Sequence, residues 1–146
     1  MFVIKHFKEL TVSEFYEIAK ARYGVFACEQ QITMENDFDD TDKNCYHAFS
    51  MENGIITSYA RIIPKEFSSY EDVSIGRVLV IESHRRKGLA KNLMMSCINF
   101  VKNKFNEEHI TLSAQYYIKD LYSNLGFKEI SKIYNECNIP HIKMKL

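Results

Sequence analysis

The chemistry of this chain concentrates in Glu82-Ser83-His84-Arg85-Arg86-Lys87-Gly88-Leu89-Ala90. This stretch joins a nearly continuous apolar run, Val73 to Ile81, to a segment whose apolar residues recur at helical spacing. A basic, glycine-containing turn that leads straight into a helix exposes first-turn amides that have no intrahelical acceptor. The helix macrodipole adds about half a positive charge at that end, and Arg85, Arg86 and Lys87 add more. Cations in a first turn oppose the dipole, so a merely solvated basic turn explains them poorly. An anion explains them better, and the arrangement suits a diphosphate. Gly88 lets the backbone come close to it, where a Cβ would intrude. The phosphate loop of nucleotide hydrolases, Gly-x-x-x-x-Gly-Lys-Ser/Thr, is absent. So is the Gly-x-Gly-x-x-Gly turn of dinucleotide-binding folds.

The elements that must position this turn follow from periodicity. Phe2 to Phe7 reads as an opening strand. Thr11-Val12-Ser13-Glu14 matches a capping box, and Phe15, Ile18, Ala19, Arg22 and Phe26 continue it as a helix to about Gly24 or beyond. Gln31 to Lys43, rich in acids, reads as a loop. Tyr46–Met51 and Ile55–Ile63 flank Asn53-Gly54, a strong hairpin signal. After the Val73–Ile81 strand, Leu89, Ala90, Leu93, Met94, Cys97, Ile98, Val101 and Phe105 mark one face of a long helix. His109–Ala114 reads as a strand, Tyr117–Leu125 as a short helix stopped by Gly126, and Phe127–Tyr134 with His141–Lys145 as a last antiparallel pair. A single α/β domain with one mixed sheet and helices on both faces satisfies this order.

Composition narrows the function classes. The 146 residues carry 19 basic and 19 acidic side chains for a net charge of zero, so no global field draws the chain to nucleic acid or an anionic membrane. Trp is absent and no basic stripe stands out, which argues further against a nucleic-acid partner. No stretch approaches about 18 apolar residues, and Met1 to Leu10 does not read as a signal peptide. A cytoplasmic protein is expected. Cys28, Cys45, Cys97 and Cys137 lack paired spacing and should be reduced thiols. Cys45 with His47, and Cys137 with His141, fall short of the two tight ligand pairs of a zinc site, so no metal is expected.

Arg85-x-x-Gly88-x-Ala90 resembles the coenzyme A pyrophosphate loop of the GNAT superfamily of N-acetyltransferases, and Val78-Leu79-Val80 resembles that family's central strand. Downstream, Leu121-Tyr122-Ser123-Asn124-Leu125-Gly126-Phe127 is similar to the family helix that closes with Tyr-x-x-x-Gly-Phe. Phe26-Ala27-Cys28-Glu29-Gln30, Tyr59-Ala60-Arg61-Ile62, Ile75-Gly76-Arg77-Val78, Ala114-Gln115 and Ile139-Pro140-His141-Ile142 resemble the ElaA-like branch, so the likeness covers almost the whole chain. Ala90 stands in place of the usual last glycine of the loop and Glu82 in place of a common proline. Gln115 and Ile118 stand where many members have Asn and Ala.

The resemblance implies acetyl-coenzyme A as co-substrate, with Arg85, Arg86, Lys87, Gly88, Leu89 and Ala90 around its pyrophosphate and Gln115 near the pantetheine arm. It implies that the Val78–Val80 strand splays from its neighbour and frees backbone groups. One amide, of Leu79 or Val80, would then polarise the thioester carbonyl. Tyr122 matches the family's general acid for the departing sulfur. An amine with a lysine-like pKa of ~10.4 is almost wholly protonated at neutral pH, so a base or an ordered water must take its proton. Glu29 is the first candidate for that role, followed by His47 and His141. Arg61 and Arg77 interrupt apolar strands and require anionic partners if buried; the acidic loop, Glu29 or an acidic acceptor would serve. The acceptor is a small-molecule or peptide amine, a homodimer is allowed, and a non-catalytic acyl-coenzyme A sensor is the alternative to an enzyme.

Overall fold

The computed structural model describes residues 1–146. Strand β1 (Val3–His6) is followed by helix α1 (Val12–Arg22), whose axis continues as a π-helical segment, Tyr23–Glu29. Next come β2 (Tyr46–Glu52), β3 (Ile55–Ile63) and β4 (Val73–Val80), and then the long helix α2 (Leu89–Phe105). The chain closes with β5 (Ile110–Gln115), α3 (Lys119–Ser123), β6 (Lys128–Glu129), β7 (Tyr134–Glu136) and β8 (Ile139–Lys145). These strands build one mixed sheet in the order β1-β2-β3-β4-β5-β8-β6, with β7 also paired to β8. Every pairing is antiparallel except that of β4 with β5.

Local signals explain most boundaries. At the start of α1, the Glu14 amide donates to Thr11 Oγ1 at 3.0 Å and the Thr11 amide to the Glu14 carboxylate at 2.9 Å, the expected reciprocal cap. The β2–β3 turn places both Asn53 and Gly54 at positive φ, which matches the twist of the flanking strands. Strand alternation then sorts the core into two layers. Ala48, Ala60, Ile62 and Ile75 pack under Leu93, Met94, Cys97 and Val101 of α2, with Tyr122 of α3 in the same layer. Phe49, Tyr59 and Leu79 face the opposite side, against Ile18, Val25 and Phe26.

The first helix runs beyond Gly24 as expected, to Glu29, but past Arg22 its turns widen, and the Gln30 amide donates to Val25 O, five residues back. One expectation is corrected. The final pair is a three-strand arrangement. The predicted Phe127–Tyr134 strand is broken into β6 and β7, which pair with opposite ends of β8. The break lies at residues 130–133, where the register against β8 slips by two residues and the Lys143 amide donates to Ser131 Oγ in place of a backbone carbonyl; a tight turn at Cys137-Asn138, both at positive φ, then sets Tyr134 opposite His141. A Cys-Asn turn carries none of the usual glycine signal.

The feature that shapes the molecule's function lies at the middle of the sheet. β4 and β5 pair only at Val73 with Ile110 and Ser74 with Thr111; beyond those residues the two parallel strands part. On its other edge β4 bulges, because Arg77 and Val78 together stand opposite Ala60 between the Tyr59–Leu79 and Arg61–Gly76 pairs. Arg77 takes φ 52°, the left-handed region that non-glycine residues rarely occupy.

Candidate active site

Where β4 and β5 part, a cleft of about 1130 Å³ opens, lined by the β4 strand, the turn before α2, the end of β5, α3 and the β7–β8 hairpin. It is larger than a pocket for one drug-sized ligand, about 300–1,000 Å³.

At one end stands the start of α2. Gly88 is its N-cap, at φ 75°, with no side chain capping the first-turn amides. A Cβ there would meet nothing within 4 Å, so backbone conformation, and no crowding from the protein itself, selects glycine at this position. Arg86 and Gly88 both reach the cleft. Lys87 does not line it, whereas Lys91, one turn into the helix, does. The uncapped helix start and the Arg86 and Lys91 cations thus share one cleft.

Along the cleft, β4 offers its backbone. The Ile81 amide donates to Thr57 O at 3.1 Å on the β3 side. Alternation then turns the Leu79 amide toward β3 as well, paired with Tyr59, and turns the Val80 amide and carbonyl toward the gap. The Val80 carbonyl accepts from Arg85 Nε at 2.8 Å. Arg85 also donates to the Glu29 carboxylate at 2.7 Å, so the two residues meet across the mouth of the cleft. Beside them Gln115 Nε2 donates to Gln30 Oε1 at 3.0 Å. Glu29 and Gln30 end the π-helical segment, which therefore delivers one contact to each wall of the splayed strands.

Tyr122 is 4% exposed yet lines the cleft, with its ring edge-on to Phe127 at 5.9 Å. Burial, reinforced by Tyr117 and Cys97, holds its hydroxyl pKa above the ordinary tyrosine value. The group therefore carries its proton throughout the physiological range, as a proton donor must.

The other end of the cleft lies between the acidic loop and the β7–β8 hairpin. Here the arginines find their partners within the protein. Arg22 is fully buried; it donates to Asp42 at 2.8 Å and to Asp37 at 2.8 Å, and its guanidinium lies over the Phe38 ring at 4.3 Å. Arg61 pairs with Asp39 at 2.6 Å and Asp42 at 3.0 Å, and Arg77 with Asp37 at 2.7 Å. Burial opposes the Arg22 charge, but Tyr59, Asp42 and Asp37 outweigh it and raise its pKa. The Arg77 backbone bulge is thus held from above by the acidic loop, and these three cations are neutralised by three aspartates. An acidic acceptor finds no free arginine among them.

The two histidines separate. His47 is buried outside the cleft, with Nδ1 2.6 Å from Tyr59 Oη and Nε2 3.0 Å from Asp42 O. A carbonyl only accepts, so Nε2 carries the proton and Nδ1 accepts from the tyrosine. Burial lowers the His47 pKa and keeps it neutral. His141 lines the cleft while only 6% exposed. Its Nδ1 donates to Ile139 O at 2.7 Å, and its Nε2 faces the Glu136 carboxylate at 3.4 Å.

An acetyltransferase (GNAT) domain model matches residues 5–146. The chain belongs to the GNAT acetyltransferase family. A UPF0039 protein of Schizosaccharomyces pombe is 37% identical, covering 99% of this chain and 95% of that protein. Protein ElaA of Escherichia coli is 32% identical over 95% of this chain and 91% of its own length. The crystal structure of Escherichia coli ElaA superposes with a TM-score of 0.90 at 31% identity, covering 99% of this chain and 98% of that one. An acyl-CoA N-acyltransferase from Pseudomonas aeruginosa superposes equally well, with TM-score 0.90 at 28% identity and coverage of 99% and 97%.

This GNAT fold is an acyltransferase fold, and its cleft suits an acyl-coenzyme A co-substrate. It brings Val78, Val80, Arg85, Arg86, Gly88, Leu89, Ala90, Gln115, Tyr122 and Glu29 to one cleft. Leu79 contributes to the same wall but directs its amide to β3, and Lys87 is not part of the lining. Sequence reasoning missed Lys91 and Gln30. Lys91 was legible as the next cleft-facing position of the helix, three residues after Gly88. Gln30 stood only inside the Phe26–Gln30 resemblance, and its contact with Gln115 depends on widened helix turns that have no sequence signature.

Proposed function

We propose that this GNAT domain transfers an acetyl group from acetyl-coenzyme A to the nitrogen of a primary amine by direct attack on the thioester. The observation that carries this reading is the opening between β4 and β5, with the Val80 amide directed into it and the uncapped α2 amides at its end. An extended pantetheine arm can pair with an opened strand edge as an added strand would, and its diphosphate then falls at the helix start with Arg86 and Lys91. Val80 N–H is the donor that stabilises negative charge on the thioester oxygen, a role typically worth about 3–4 kcal/mol per donor. Tyr122, protonated and buried beside the gap, gives its proton to the sulfur. Of the two protons that an alkylammonium loses on becoming an amide, one ends on the coenzyme thiol through Tyr122 and the other in solvent.

Two measurements test this. Acetyl-coenzyme A should raise the melting temperature well above the effect of ATP or NAD at equal concentration, because it binds the folded state. Equal stabilisation by all three would reduce the site to a general anion trap. Free thiol should then appear when a panel of primary amines is added. Stabilisation by the coenzyme without thiol release from any amine would make the domain a coenzyme sensor instead.

A further inference from the structure

We propose that His141, backed by Glu136, is the base that takes the proton from the acceptor amine. This rests on the acyl-transfer reading above and assigns the one role that reading leaves open. Three side chains compete for it. Glu29 has its carboxylate engaged by the Arg85 guanidinium at 2.7 Å, which ties up its charge and lone pairs. His47 lies outside the cleft with both ring nitrogens committed. His141 differs from both. Its strand position is opposite Gln115, at the end of β5 where the strands have parted. Its ring is stacked on Tyr134 with the centroids 6.1 Å apart, and Nδ1 is fixed as a donor to Ile139 O. In the neutral ring that bond forces the lone pair onto Nε2. Nε2 is also the atom that faces the Glu136 carboxylate, at 3.4 Å, so positive charge arriving there during proton transfer meets a carboxylate neighbour.

The hairpin supplies this arrangement. The tight Cys137-Asn138 turn brings Glu136 of β7 beside His141 of β8, on the face that closes the cleft. Glu35 of the acidic loop lines the same end, while Arg77 and Arg61 there are already paired with aspartates. The unpaired charge at this end is therefore negative, which draws in an ammonium ion and repels a carboxylate-bearing acceptor. In the step itself, His141 Nε2 accepts a proton from the ammonium and the freed nitrogen lone pair attacks the acyl carbon. The carbon–sulfur bond breaks and the sulfur takes the Tyr122 proton. The amide nitrogen sheds its second proton to restore the tyrosine through solvent, and the imidazolium releases its own to water.

The test compares two near-isosteric acceptors with acetyl-coenzyme A, reading thiol release. Ethylamine is an ammonium ion at neutral pH, and methoxyamine is the free base there. His141→Asn keeps an N–H at the Nδ1 position and removes the Nε2 lone pair. His141→Gln instead sets a non-basic amide near the Nε2 position and guards against a folding defect, with melting temperature and coenzyme A affinity checked in both. The expected result is a kcat about 100-fold lower or more with ethylamine in both variants, less than about threefold lower with methoxyamine, and unchanged coenzyme affinity. Added imidazole should recover part of the ethylamine rate. Equal losses on both amines would make His141 a structural residue, and unchanged rates would remove it from the reaction. The same selective loss in Glu29→Gln, and not in the His141 variants, would give the role to Glu29. Each of these overturns the assignment alone. Wild-type protein that releases no thiol with either amine overturns the acyl-transfer reading and this assignment together.

Discussion

Replacing Glu29 by Gln should tighten coenzyme A binding. In the structure the Glu29 carboxylate holds the Arg85 guanidinium at 2.7 Å, while the same guanidinium donates to Val80 O at 2.8 Å. A coenzyme entering the gap needs both the arginine and the strand edge that the arginine covers. The side chains are 39% and 36% exposed, so the pair is worth about 0.2–1 kcal/mol and not the several kcal/mol of a buried one. Releasing it returns that amount to the bound state, a fall in Kd of roughly 1.4- to 5-fold. Removing a negative charge near the diphosphate works in the same direction. Isothermal titration with coenzyme A, which carries no acyl group and so reports binding alone, measures the change. At 1 M salt the Debye length falls to about 3 Å, and the difference between variant and wild type should largely vanish. Weaker binding by Glu29→Gln would refute the reasoning and show that Glu29 orients Arg85 for the diphosphate. A gain that survives high salt would refute its electrostatic origin.

Three further outcomes are expected. Tyr122→Phe keeps the ring against Phe127 and should lower kcat about 10- to 1000-fold with little change in coenzyme affinity; because the hydroxyl pKa is raised by burial, wild-type activity should show no loss from tyrosine ionisation up to about pH 10. Asp42→Ala leaves buried Arg22 and Arg61 short of the carboxylate they share and should cost about 3–5 kcal/mol of stability by chemical denaturation, whereas Asp40→Ala, at an exposed pair, should cost less than about 0.5 kcal/mol. His47 has a pKa lowered from 6.5 by burial, so the unfolded chain binds a proton that the folded chain refuses; unfolding free energy should therefore fall as pH drops below about 6.5, by at most ~1.4 kcal/mol per pH unit from this group, and His47→Gln should show a shallower slope between pH 6.5 and 5.

Local sequence carried most of the element boundaries because capping, turn formation and amphipathic periodicity are short-range effects. Thr11 and Glu14 cap α1 as their spacing requires, Asn53-Gly54 turns the β2–β3 hairpin, and the α2 face buries Leu93, Met94, Cys97 and Val101. The turn from Arg85 to Ala90 was legible for the same reason: a helix start and its charges sit within one short stretch. What required the tertiary structure were relations across long separations. Arg61 and Arg77 announced only that they needed anions; that Asp37, Asp39 and Asp42 supply them depends on how the acidic loop crosses the sheet. Glu29 and Arg85, 56 residues apart, are neighbours only because the widened turns after α1 reach the start of α2. His47 and His141 look alike in the sequence as lone histidines on strands. The sheet buries one against Tyr59 and sets the other at the rim of the β4–β5 opening, since a side chain's access to a cleft is decided by which strands part, and strand parting leaves no mark in local pattern.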